Sequence, residues 1–164
     1  MAGGKPFFSV VIPTLNEERY LPKLLGNLAG QIDRDFEVIV IDGHSKDRTI
    51  ERARGFKGGI KRLRILAAER ANVSYQRNLG AGVAVGRWLV FLDADDEVPR
   101  NFLSEIHHYV VEEKDCGLLT TWMSPDSENA SDEMLAMLAN LFLEVARVAD
   151  KPVATGYCLV MRKG

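Results

Sequence analysis

Apolar residues fall along this chain in two rhythms. Phe7–Ile12, Phe36–Ile41, Leu63–Ala67 and Trp88–Leu92 are nearly unbroken apolar runs of strand length, the pattern of strands buried on both faces. The first is closed by Pro13 and the second by Asp42-Gly43. Between them the period becomes helical. Leu21, Leu24, Leu25 and Leu28 recur at i, i+3, i+4 and i+7, and Asn16 is expected to cap their helix with Glu17 and Glu18 in its first turn. Ser45 is expected to cap a second helix through about Ala53, with Asp47 in its first turn and Gly55, Gly58 and Gly59 breaking it. Ser74 is expected to open a third, through about Val85, ended by Gly86.

The second half continues the alternation. Pro99 suits a helix N1 position, and Phe102, Leu103, Ile106 and Val110 form the apolar face of a helix ending near Glu113. Gly117–Met123 reads as a fifth strand, and residues 124–129 (SPDSEN) as a loop. Ser131 is expected to cap a long helix with Met134, Leu138, Leu141, Val145 and Val148 as a core-facing stripe and Asn140, Glu144 and Arg147 opposite. Thr155–Met161 is the last expected strand. Strands alternating with helices define an α/β domain with a mostly parallel sheet flanked by helices. Right-handed crossovers bring the loops after parallel strands to one edge, here 14–17, 42–45 and 93–96.

That edge is where open α/β sheets bind ligands. Trp88–Leu92 runs straight into Asp93, Asp95 and Asp96. Taken alone, such a turn is most often simply solvated. Three acids at the end of a buried strand, with Glu17 and Asp42 on neighbouring loops, instead describe a crevice that a cation would neutralise. Oxygen ligands favour Mg²⁺ or Mn²⁺. Carboxylates holding such an ion can stabilise a departing diphosphate. Asp95 is the expected metal ligand. Asp93, nearer the strand, is placed to accept a hydrogen bond from a ribose hydroxyl, and Asp42 from a base or ribose. Glu17 reads equally as a nucleotide contact or as a first-turn helix acid. Arg77, early in the third helix, can neutralise phosphate.

Composition narrows the class further. The 164 residues suffice for one domain with a core, and 46% hydrophobic with 27% charged content is that of a soluble globular protein. A net charge of −2 gives no basis for nucleic-acid binding. Cys116 and Cys158 form no C-x-x-C pair, which fits a reducing, cytoplasmic compartment, possible also at the cytoplasmic face of a membrane. No transmembrane segment or signal-peptide core is expected. Walker A, G-x-G-x-x-G, G-x-S-x-G and H-E-x-x-H patterns are all absent, and His107 and His108 are expected to be exposed on their helix.

Four blocks then carry a resemblance: VVIPTLNEE, VIDGHSKDRT, QRNLGAGVAVG and WLVFLDADDEVP stand in the order and spacing of the family 2 glycosyltransferases of GT-A fold. The likeness is strong over about residues 7–103. It implies a GT-A Rossmann-like domain that moves a sugar, with inversion, from a nucleotide diphosphate-sugar of UDP or GDP type to a saccharide or lipid-phosphate acceptor, using Mn²⁺ or Mg²⁺. It makes Pro13, Thr14, Glu17 and Asp42 nucleotide-binding positions, Asp93 a ribose or sugar contact and Asp95 the metal ligand. Arg77 matches the basic residue of the family's R-N-x-G block.

Two departures accompany the match. Where the family usually has D-D-G-S or D-G-S, this chain has Asp42-Gly43-His44-Ser45, leaving Asp42 to act alone. The general base, usually an acid downstream of the strand that Thr155–Met161 resembles, is not found. Residues 1–164 are expected to be a single catalytic domain lacking the C-terminal acceptor and base segment, the alternative being an acceptor that needs no base, such as an already anionic lipid phosphate. Asp96, Asp126 and Glu128 are the local stand-ins. Two other readings compete: a non-catalytic nucleotide-sugar-binding module, and a sugar nucleotidyltransferase. The glycine-free loop PTLNEE argues against the second.

Overall fold

The computed structural model describes residues 4–113, 115–120, 129, 132, 134, 136–138 and 158–164. Expected features at 121–128, at 139–157 and at most of the helix after Ser131, Asp126 and Glu128 included, lie outside them. Among the described residues six strands form one sheet: β1 (Phe8–Thr14), β2 (Phe36–Asp42), β3 (Leu63–Ala67), β4 (Trp88–Phe91), β5 (Leu118–Thr120) and β6 (Leu159–Arg162). Their order is β3-β2-β1-β4-β6-β5. β1 pairs in parallel with β2 and β4, and β2 with β3; β6 runs antiparallel to β4 and β5. The expected mostly parallel α/β sheet is present.

The apolar runs form strands because both faces are covered. Val10, Ile12, Val38, Val40 and Val90 point to one face. There they meet Leu21, Leu24, Leu25 and Leu28 of α1 (Leu21–Ala29) and Leu103, Ile106 and Val110 of α4 (Phe102–Glu112). Val11, Ile39, Ile41, Leu89 and Phe91 point to the other face, beside α3 (Val73–Val83). Burying one such side chain stabilises the fold by about 1.5–3 kcal/mol. α3 sits unusually close to the sheet: a Cβ on its Gly80 would come within 2.3 Å of Val11 Cγ1.

At the start of the strands, Glu37 is 3% exposed yet fully engaged. It accepts hydrogen bonds from Ser9 Oγ (2.6 Å) and Val85 N (2.8 Å), with Arg64 3.6 Å away. This pairing fixes the crossover from α3 into β4.

Helix starts differ from expectation. α1 begins at Leu21, so Glu17 and Glu18 precede it and its first turn holds no acid. Asn16 does not cap it; Asn16 adopts φ 58° and bonds across to the next loop. α2 spans Thr49–Arg54, four residues after Ser45, and a 3-10 turn over Gly55–Gly58 follows it. Asp47, ahead of α2, accepts from Thr49 N at 3.0 Å. Asn72, not Ser74, caps α3, accepting from Tyr75 N at 2.9 Å. Pro99 precedes α4 by three residues rather than occupying its first turn, and its carbonyl accepts from Phe102 N. His107 is not free on its helix: it stacks on Phe7 at 3.8 Å and its Nδ1 meets Asp33 Oδ2 at 2.6 Å. His108 is exposed, as expected.

Candidate functional site

The ends of β1 and β2 are laced together before either chain leaves the sheet. Gly43 N donates to Thr14 O at 2.8 Å. Asn16 N donates to Ser45 Oγ, Lys46 N to Asn16 Oδ1, Glu17 N to Thr49 Oγ1 and Glu18 N to Asp47 Oδ2. Residues that read as helix caps are spent on these cross-loop bonds. His44, at φ 70°, allows the second loop to turn back toward the first.

Asp42 is 8% exposed, and its carboxylate accepts from Ser45 Oγ at 2.5 Å and from Ser45 N at 3.2 Å. It therefore shapes its own loop and is not among the residues lining the adjacent cleft. Thr14 is 3% exposed, and its Oγ1 is buried without a hydrogen-bond partner among the described residues.

The acids after β4 do not act as one group. Asp93 Oδ1 receives Arg77 Nη2 at 2.7 Å. Asp96 turns back, its Oδ2 accepting from Asp93 N at 2.7 Å. Burial, then the neighbouring Asp93 and Asp95 charges, raise the Asp96 carboxyl above its usual range, while the Asp93 N–H and Arg77 oppose this. Asp95 is left exposed, facing Glu17 from the β1 loop. Burial, then Asp95 and Asp47, raise the Glu17 carboxyl. Among the described residues no group of three or more His, Cys, Asp or Glu is arranged to hold a metal ion.

These residues border a cleft of about 350 Å³. Pro13, Thr14, Glu17, Asp93 and Asp95 line it, so five of the seven expected positions meet there. Arg77 reaches it through Asp93, and Asp42 lies at the adjoining strand end. Gln76 also lines it, a residue the sequence reading did not single out. Its signal was a polar side chain one turn before Gly80 on the sheet-facing side of α3. A larger hollow, about 660 Å³, lies at the opposite end of the sheet between Phe7, Trp88, Val110 and Arg162, away from these acids.

A parallel-stranded α/β layer with acids and an arginine at the carboxyl ends of its strands is the class of nucleotide-binding α/β domains. Residues 9–164 match Glycosyl transferase family 2, and the chain belongs to that family. It is 40% identical over 94 residues to the PGL/p-HBAD biosynthesis glycosyltransferase of Mycobacterium bovis, covering 57% of this chain and 37% of that protein. It is 30% identical over 108 residues to the poly(ribitol-phosphate) β-N-acetylglucosaminyltransferase TarS of Staphylococcus aureus, covering 64% and 19%.

Among solved structures, TarS 1–349 in complex with UDP superposes with a TM-score of 0.70 at 28% identity, over 75% of this chain and 37% of that one. The mannosyltransferase PcManGT of Pyrobaculum calidifontis, solved with GDP-Man and Mn²⁺, gives a TM-score of 0.74 at 24% identity, over 97% and 45%. At that identity the likeness is one of fold. The chain spans less than half the length of each of these proteins. The expected family and the GT-A type of α/β fold are both borne out.

Proposed function

We propose that this chain is the donor-binding part of an inverting, divalent-metal-dependent glycosyltransferase that takes a UDP- or GDP-linked sugar. The observation that carries this reading is the convergence of Glu17, Asp93 and Asp95 from two strand-end loops on one cleft, with Arg77 held against Asp93. A diphosphate entering there would meet Arg77, whose guanidinium could exchange Asp93 for phosphate oxygens. Asp93, so released, can accept from a ribose hydroxyl. Thr14 Oγ1, buried and unpartnered, is a polar atom that a bound nucleotide would satisfy. Pro13 and Asp42 set the nucleoside end.

Asp95 suits a metal ligand because it is exposed and lies near the Glu17 carboxyl, two acids that a cation would bring together. One protein carboxylate, completed by diphosphate oxygens and water, is an ordinary way to hold Mg²⁺ or Mn²⁺. When bound, the ion would offset charge developing on the leaving diphosphate. Relatives of this fold were solved with UDP, UDP-GlcNAc, and GDP-Man with Mn²⁺, which supports the donor class without choosing the base. The acceptor in this reading is a saccharide or a lipid phosphate, met on the cytoplasmic side. No helix among the described residues is long and apolar enough to cross a membrane.

A nucleotide-sugar-binding module is the second reading, favoured by one observation. Glu17, Asp93 and Asp95 are the acids that line the cleft among the described residues, and in this reading all three are assigned to the donor or its metal, leaving none to take a proton from an acceptor hydroxyl. Incubation with UDP-GlcNAc, UDP-glucose and GDP-mannose, with Mn²⁺ and a panel of hydroxyl and phosphate acceptors, separates the two. Release of nucleoside diphosphate with a glycosylated product supports the transferase. Binding without release supports the module, and absence of binding contradicts both.

A further inference from the structure

α3 presents two consecutive residues to the strand ends, and they hold different parts of them. Arg77 reaches the turn after β4. Gln76, 4% exposed, points the other way along the edge. Its Nε2 donates to Thr14 O at 3.0 Å and to Ile41 O at 2.7 Å. Both partners are carbonyls, so the amide nitrogen must face them. β1 and β2 lie side by side, with Thr14 opposite Asp42. One side-chain amide thus ties the last turns of two neighbouring strands.

Position 43 completes the arrangement. Gly43 N donates to the same Thr14 carbonyl, and a Cβ on Gly43 would lie 3.2 Å from both Gln76 Nε2 and Oε1. The Gln76 amide crowds a side chain at 43, which would have to push it aside by a few tenths of an ångström. Asp42 is therefore held on both sides: Ile41 O before it is fixed by Gln76, and Gly43 after it is packed against Gln76. The helix that carries Gln76 packs close to the sheet, because one turn on, Gly80 has no side chain to hold it off Val11.

We infer that Gln76 is a positioning residue for the nucleoside end of the cleft. It sets the carbonyl of Thr14 and the backbone on either side of Asp42, while Arg77 and Asp95 serve the diphosphate end. This rests on the donor-binding reading above. Removing the amide takes one donor from each carbonyl: Ile41 O loses its bond from α3, and Thr14 O keeps only Gly43 N. The strand ends then relax, and nucleoside recognition weakens by about tenfold. Diphosphate recognition, anchored on β4 and Arg77, changes little.

The test compares two probes on the whole chain: the better bound of UDP and GDP, and inorganic pyrophosphate, each titrated with Mn²⁺. Gln76→Met keeps length and removes the donor. It is expected to lower nucleoside diphosphate affinity about tenfold and pyrophosphate affinity less than twofold. Gly43→Ala supplies a second, milder route to the same knot. It should weaken nucleotide binding in the native background and have little effect once Gln76 is alanine, since the obstructing amide is gone. Equal losses for both probes, or a Gly43→Ala effect that is unchanged in the Gln76→Ala background, would overturn the positioning role. Failure of the unaltered chain to bind any nucleoside diphosphate would instead overturn the donor-binding reading.

Discussion

Arg77 Nη2 lies 2.7 Å from Asp93 Oδ1, so a cation from α3 and an acid from the end of β4 face each other in the cleft wall. Their side chains are 27% and 34% exposed, which leaves water to screen much of the attraction. The pair then contributes at most about 1 kcal/mol to stability. Its larger consequence concerns ligand binding. Arg77→Met is expected to reduce nucleoside diphosphate affinity about tenfold or more, as loss of a charge-assisted phosphate contact should, while shifting the thermal midpoint only slightly. A double-mutant cycle with Asp93→Asn, followed by calorimetry, checks that the two act together.

Glu17 carries a pH signature. Its carboxyl is raised above the ordinary 4.5, chiefly by burial and then by Asp95 and Asp47, so the folded chain holds that proton more tightly than the unfolded chain. The contribution favours the fold below the ordinary value and is lost as pH rises through the folded value. Glu17→Gln is therefore expected to raise the thermal midpoint at pH 7 and to leave it unchanged near pH 4. Melting curves of both proteins across that range, without divalent metal, measure the difference. A stabilisation that persists undiminished at pH 4 would exclude this origin.

Asp42 is expected to act independently of metal. Its carboxylate holds Ser45, and it ends a different strand from Asp95. Asp42→Ala should weaken UDP or GDP binding with EDTA present. An effect that vanished without divalent ion would assign Asp42 to metal binding instead.

Gly80 tests the fold beneath the site. Alanine would gain up to about 1 kcal/mol of helix propensity, but its Cβ would sit 2.3 Å from Val11 Cγ1. Overpacking of this kind costs about 1–3 kcal/mol, so Gly80→Ala should be net destabilising in urea unfolding. Gly82→Ala, on the same helix with nothing within 4 Å, should be neutral or stabilising.

The strands were legible because an unbroken apolar run admits few other fates: β2, β3 and β4 fall within a residue of their expected ends. Helix starts were not. Asn16 and Ser45 have the chemistry of caps, but each side-chain oxygen can accept only a few hydrogen bonds, and backbone N–H groups of the β1 and β2 loops claim them. Asn72 capped α3 in place of Ser74 because its side chain is placed to accept from Tyr75 N. The acids at the strand ends could be read from position alone. Their division of labour could not, since it depends on Arg77, sixteen residues before Asp93, and on Asp96 folding back on the chain. Gln76 escaped notice for the same reason: its partners are 62 and 35 residues away.

Asp95, the exposed acid near Glu17 in the cleft, is the residue on which divalent-metal binding is expected to depend. Calorimetric titration of UDP and GDP into the native chain and into Asp95→Asn, each with Mn²⁺ and with EDTA, tests it directly. One of the two nucleotides is expected to bind the native chain, at least tenfold more tightly with Mn²⁺. Asp95→Asn should lose most of that enhancement while keeping its fold and its metal-free affinity. Mn²⁺-dependent affinity equal in the two proteins would contradict the assignment of Asp95, and absence of nucleotide binding by the native chain would contradict the donor site as a whole.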